Sequence, residues 1–126
     1  MSRARRSLRS ARMLLENGDH DFAMSRAYYA IFHAATAVLL SQGVRRSKHS
    51  AAIAAFGQQL VKPGRFTAEQ QQLLQTAFED RSESDYEGVF PSRAKVETRL
   101  AEAGEFVNAA TEFLRSAGFD VSETKS

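Results

Sequence analysis

Apolar residues recur three and four positions apart in five stretches of this chain, the spacing of one face of an α-helix. No stretch alternates apolar and polar residues for long enough to predict a strand. The most apolar pattern runs from His20 to Gly43, where Phe22, Ala23, Ala27, Ile31, Ala34, Ala35, Val38 and Leu39 form a stripe. Tyr28, Tyr29, Phe32, Ala37 and Leu40 occupy the other side, so the helix is apolar almost all round and needs cover on most sides. It is predicted to be the central helix of an all-helical domain.

The other four patterns arrange themselves about it. A first helix over Ser2 to Asn17 has Ala4, Leu8, Ala11 and Leu15 inward, with Arg3, Arg5, Arg6, Arg9 and Arg12 mostly outside. Gly18 is its C-cap and Asp19 the N-cap of the central helix, which predicts a very short turn between antiparallel neighbours. Ser47 is placed to cap a short helix from His49 to Val61, with Ile53, Phe56 and Leu60 inward and His49 on the same face. Lys62, Pro63 and Gly64 break the chain. Thr67 and Gln70 then form a capping box that opens a fourth helix, with Leu73, Leu74, Ala77 and Phe78 as its stripe. Gly88 and Pro91 end it, and Ser92 caps a fifth helix with Val96, Leu100, Ala103, Val107, Ala110 and Leu114 inward. The expectation is an all-α, five-helix up-down bundle of four long helices and one short one. Residues 1–118 form this single domain, and 119–126 a flexible C-terminal tail.

Composition narrows the classes. No apolar run is long enough to span a membrane, and there is no cysteine for a disulfide or a thiolate metal site. No cofactor is implied, and a cytoplasmic location is the default. Charge changes the picture more. Residues 1–68 hold eleven Lys or Arg against three acids, while residues 69–126 hold six against twelve. A basic half attracts nucleic acid or another polyanion; equally, two such halves neutralise each other within a bundle or across a homodimer.

Several polar residues stand out against these stripes. Arg81 continues the inward stripe of the fourth helix, where an unpaired buried charge is costly. Asp85, or a hydroxyl of Tyr28 or Tyr29, satisfies it in a structural role; a phosphate does so in a functional one, matching the planar guanidinium fork. Arg26, Tyr29 and His33 share one face of the central helix. His33 reads as a hydrogen-bonded core histidine. His49 follows the basic loop Arg45, Arg46 and Lys48, which makes it the better phosphate contact. The acids Glu79, Asp80, Glu83, Asp85 and Glu87 lack the Glu-x-x-His pairs of di-metal bundles, so no metal is expected.

The segments DFAMSRAYYAIFHAATAVLLSQG, KHSAAIAAFGQQLVK and FEDRSESDYEG, in this order, resemble the HEPN domain over roughly residues 8–115. The core RAYYAIFHAA (Arg26 to Ala35), followed by KHS and FGQQ, is similar to a small, single-domain prokaryotic branch. The resemblance implies a five-helix bundle that dimerises and binds RNA or nucleotide. In some branches it also implies metal-independent ribonuclease activity, and small members accompany a minimal nucleotidyltransferase in toxin–antitoxin pairs. Nuclease members carry an Arg-x4–6-His motif late in the bundle. Arg81 matches its Arg, but Tyr86 stands where the His belongs, and tyrosine is a poor general base at neutral pH. Arg26 and His33 have Arg-x6-His spacing on a different helix from the motif. The reading is therefore phosphate binding by Arg81, helped by Arg45, Arg46, Lys48 and His49. The alternatives are a ribonuclease toxin in which His33 or His49 replaces the motif histidine, and a protein-interaction module with a structural Arg81.

Overall fold

Helix ends are where the local sequence speaks most plainly, and the computed structural model of the protein shows several where the spacing predicts them. It describes residues 1–87 and 91–121, and the side chains of residues 1–81 and 91–121. Helix α1 covers Ser2–Glu16, α2 His20–Ser41, α3 His49–Phe56, α4 Ala68–Glu87 and α5 Arg93–Ser116. Gly18, at φ +83°, turns the chain out of α1, a left-handed conformation that costs glycine nothing. The Asp19 N–H donates to the Leu14 carbonyl at 2.8 Å, which keeps the α1–α2 turn short. The Thr67–Gln70 box forms with both reciprocal bonds, at 2.8 and 3.1 Å, and the Ser92 hydroxyl accepts from the Lys95 N–H at 3.1 Å.

Two caps differ from expectation. Asp19 occupies the N-cap of α2 but its carboxylate makes no capping bond. Lys48, not Ser47, is the N-cap of α3, because the helix begins one residue later than a serine cap at 47 requires. After Phe56 the helix does not stop but widens into a π-turn, Gly57–Val61, where the Lys62 N–H donates to the Gly57 carbonyl at 2.9 Å. Gly57 has no side chain to obstruct Gln71 of α4, whose amide reaches the Ile53 carbonyl at 3.1 Å.

Packing centres on α2, which touches α1, α3, α4 and α5 and completes an all-α, five-helix bundle. Tyr28, Ile31, Val38 and Leu39 of α2 are fully buried with Phe56, Leu60, Leu74 and Phe106 from its neighbours. Phe56 lies 5.0 Å from Phe66 and 5.7 Å from Phe106, centre to centre, which joins α3 to α5 through edge and tilted aromatic contacts. All six predicted inward positions of α5 are buried.

Rotation of the helices decides the remainder. In α1 Ser7 is buried and Leu8 only half so, and Arg5 turns inward to donate to the Thr111 hydroxyl at 3.1 Å and the Val121 carbonyl at 3.2 Å. Val121 is thereby held against α1; residues 122–126 of the expected tail lie outside the described residues. Phe22, read as part of the inward stripe, is 61% exposed, whereas Ala23 and Met24 beside it are buried, so the helix is turned with Phe22 outward. Among the described residues no helix is long and apolar enough to cross a membrane.

Candidate functional site

One face of α2 carries Arg26, Tyr29 and His33, and the adjacent face carries Tyr28 and Phe32. Helices α3 and α4 bring His49, Phe78 and Arg81 to them. The His49 ring stacks on Phe32 at 4.6 Å and on Phe78 at 5.1 Å, and its Nδ1 is hydrogen-bonded to the Tyr28 hydroxyl. The guanidinium of Arg81 lies 5.5 Å from the Tyr28 ring, 5.4 Å from Tyr29 and 5.8 Å from Phe78, and donates to the Tyr29 hydroxyl at 3.3 Å. A cation over three aromatic faces keeps its charge favourably while its planar fork stays fixed. The expected tyrosine beside Arg81 is therefore Tyr29; Tyr28 turns its hydroxyl to His49 instead.

Proton positions follow from these surroundings. Burial pushes the Tyr28 phenol well above its usual pKa, which more than offsets the opposing pull of Arg81, so the hydroxyl stays protonated. Burial, with the positive charge of Arg81, holds His49 below the usual imidazole value. At neutral pH Tyr28 therefore donates and the His49 Nδ1 accepts, which leaves the imidazole proton on Nε2. In this state His49 offers a donor to an anion and has no open acceptor for abstracting a proton.

His33 lies in different company. Its ring is half-buried where α1 and α2 meet, facing two adjoining cavities of about 570 and 180 Å³. Arg3 and His33 line both; Arg6, Ser7, Ser10 and Arg26 complete the smaller one, and Arg45, Arg46, Leu40 and Val44 belong to the larger. Burial first, then the charges of Arg3 and Arg26, depress the His33 pKa. Arg26 also lies 5.0 Å from the centre of the Tyr29 ring, so this tyrosine contacts both the Arg81 cluster and a residue of the basic groove.

The expected phosphate ligands thus divide. Arg81 and His49 come together; Arg45 and Arg46 line the groove with His33, and Lys48 is exposed at the start of α3. The side chains of Asp85 and Tyr86 lie outside the described residues. Sequence reasoning missed Arg3 and Arg6 as groove residues, although their spacing of three along α1 puts them on one face. It also missed Arg99, which is 8% exposed and bonds Asp80 at 2.5 Å and Glu102 at 3.0 Å. Lys95 approaches the same Asp80 at 3.7 Å, so this carboxylate is engaged by two cations of α5.

The chain is similar in sequence to known proteins over most of its length. The sequence profile of the HEPN domain matches residues 1–116. A UPF0332 protein of Gloeobacter violaceus is 36% identical over 116 residues, covering 90% of this chain and 92% of its own. A UPF0332 protein of Thermotoga maritima is 40% identical over 84 residues, covering 67% of this chain and 64% of its own. A protein of Methanocaldococcus jannaschii named as a candidate toxin is 32% identical over 112 residues, with coverages of 89% and 84%.

Proposed function

The chain belongs to the HEPN domain family, and on that premise we propose that it is a toxin-like protein that binds RNA or nucleotide phosphate through Arg81. The observation that carries this reading is the guanidinium of Arg81 held over Tyr28, Tyr29 and Phe78 beside the His49 ring. Aromatic neighbours fix the orientation of the cation without cancelling its charge, as a phosphate ligand requires. The neutral His49 supplies a second donor, and Arg45, Arg46 and Lys48 add positive charge about the start of α3. With Nδ1 of His49 engaged by Tyr28, binding is better supported than proton abstraction at this histidine.

A homodimer and a nucleotidyltransferase partner belong to the same proposal, as does a cytoplasmic setting. Neighbours within the chain already cover most of α2, so the case for a dimer rests on the family and on Phe22, which remains exposed on α2. Light scattering at micromolar concentration tests it, and a monomer in moderate salt rejects it.

The test of function is RNA binding and RNA cleavage measured on the same sample. The expected result is binding that weakens steeply with added salt, because phosphate contacts release counterions. Affinity unchanged between low and physiological salt, or full binding by Arg81→Ala, rejects the reading. Cleavage in the absence of metal moves the assignment to a ribonuclease toxin.

A further inference from the structure

Three arginines, Arg3 and Arg6 from α1 and Arg26 from α2, line the smaller of the two adjoining cavities together with His33. Among the described residues none of the three has a carboxylate partner, whereas Arg93, Arg99 and Arg115 each have one. No acid lines either cavity, and the sequence has none between Asp21 and Glu69. The arrangement therefore accumulates positive charge that nothing described in the fold neutralises. Burial first, and then the charges of Arg3 and Arg26, hold the His33 pKa below its usual value, as the geometry of the smaller cavity requires.

The larger cavity has another character. Its 570 Å³ falls within the range of small-molecule sites, and Ala37, Leu40 and Val44 give it an apolar wall. Leu40 is 51% exposed there, a large apolar side chain left open to solvent beside cationic neighbours. Arg45 and Arg46 stand on the same rim, and the first turn of α1, which contains no acid, adds its free N–H groups. A polar trough rich in guanidinium groups thus opens into a half-apolar pocket, with Arg3 and His33 at the junction.

We propose that this groove between α1 and α2 binds a nucleoside phosphate, its phosphates held by Arg3, Arg6, Arg26 and His33 and its nucleoside seated against Leu40 and Val44. The ligand is a free nucleotide or one nucleotide of an RNA strand, since both present the same chemistry. The site adds to the phosphate-binding reading above and does not depend on Arg81, which lines neither cavity. Simple polyanion attraction accounts for the trough but not for the apolar wall joined to it. A nucleoside phosphate accounts for both.

The experiment is calorimetric titration of the full chain with ATP, with inorganic pyrophosphate, and with a short single-stranded RNA. Four proteins are compared: wild type, Arg3→Ala/Arg6→Ala, Leu40→Ala and Arg81→Ala. The double variant should weaken ATP at least about 10-fold with an unchanged melting temperature, since both side chains are exposed. Leu40→Ala should weaken ATP and leave pyrophosphate unaltered, because only the nucleoside meets that wall. ATP that displaces RNA from wild type but not from the double variant identifies an RNA nucleotide as the occupant; ATP binding without displacement identifies a free nucleotide. Wild-type ATP affinity in the double variant overturns the inference, as does ATP binding no tighter than pyrophosphate. Loss of RNA binding in Arg81→Ala alone, with these failures, leaves the Arg81 reading standing. Loss confined to the groove variants supports the groove and removes Arg81.

Discussion

The Tyr28 hydroxyl and Nδ1 of His49 are hydrogen-bonded across the junction of α2 and α3, and the imidazole is stacked between Phe32 and Phe78. The pair fixes both the tautomer and the tilt of the ring. It also gives the fold a dependence on pH.

His49 and His33 both have pKa values below the imidazole reference of about 6.5, burial being the main cause in each. Arg81 and Tyr28 face His49; Arg3, Arg6 and Arg26 line a cavity together with His33. As the pH falls below about 6.5, the unfolded chain takes up protons before the folded one does. The contribution of neutral imidazole is thus complete above the unfolded pKa and declines as pH drops toward the folded values. The melting temperature should fall between pH 7.5 and 5.5, and less so in a His33→Gln/His49→Gln variant. Equal slopes for the two proteins would contradict this.

Arg99 and Asp80 make the shorter of two described ion pairs between α5 and α4. Arg99→Ala leaves Asp80 with only the longer contact to Lys95 and should destabilise the fold by about 3 kcal/mol in urea denaturation. Arg93→Ala, which breaks an exposed pair with Glu97, should cost no more than about 0.5 kcal/mol. Similar losses for both variants would show that burial does not set the difference.

Arg81→Ala removes the donor to Tyr29 and a cation from three rings, a stability loss of about 1–2 kcal/mol that leaves a folded bundle. RNA binding should weaken sharply. Arg81→Lys should recover stability better than binding, because lysine keeps the charge without the bidentate fork. Thermal melts and binding on the same preparations decide it. A large stability loss with binding retained makes Arg81 a structural residue.

Gly57 and Gln71 are coupled by space. A methyl group at position 57 overlaps the Gln71 amide and pulls it from the Ile53 carbonyl, while alanine gains up to about 1 kcal/mol in helix propensity. Gly57→Ala alone should therefore be neutral or slightly destabilising. In a Gln71→Ala background the same change should stabilise, with a coupling of about 1 kcal/mol in the double-mutant cycle. Additive effects would mean that the glycine serves the π-turn alone.

The periodicity of the chain located the helices by itself, though not the π-turn that follows α3. Alternating steps of four and three from Val96 to Leu114 named the buried face of α5, because residues one turn apart share a face whatever the helix packs on. The Thr67–Gln70 box was equally legible, since its partners lie within one turn. Only the tertiary structure decided how far each helix is rotated about its axis. That rotation buried Ser7 ahead of Leu8, left Phe22 in solvent and turned Arg99 inward. It also set the company of the histidines: His49 entered an aromatic stack, and His33, which the sequence suggested was a core residue, faces the groove of arginines. Arg3 precedes Arg26 by more than twenty positions, and no local pattern relates them. Their convergence on His33 follows from the packing of α1 against α2, where long-range contact rather than spacing chooses the neighbours.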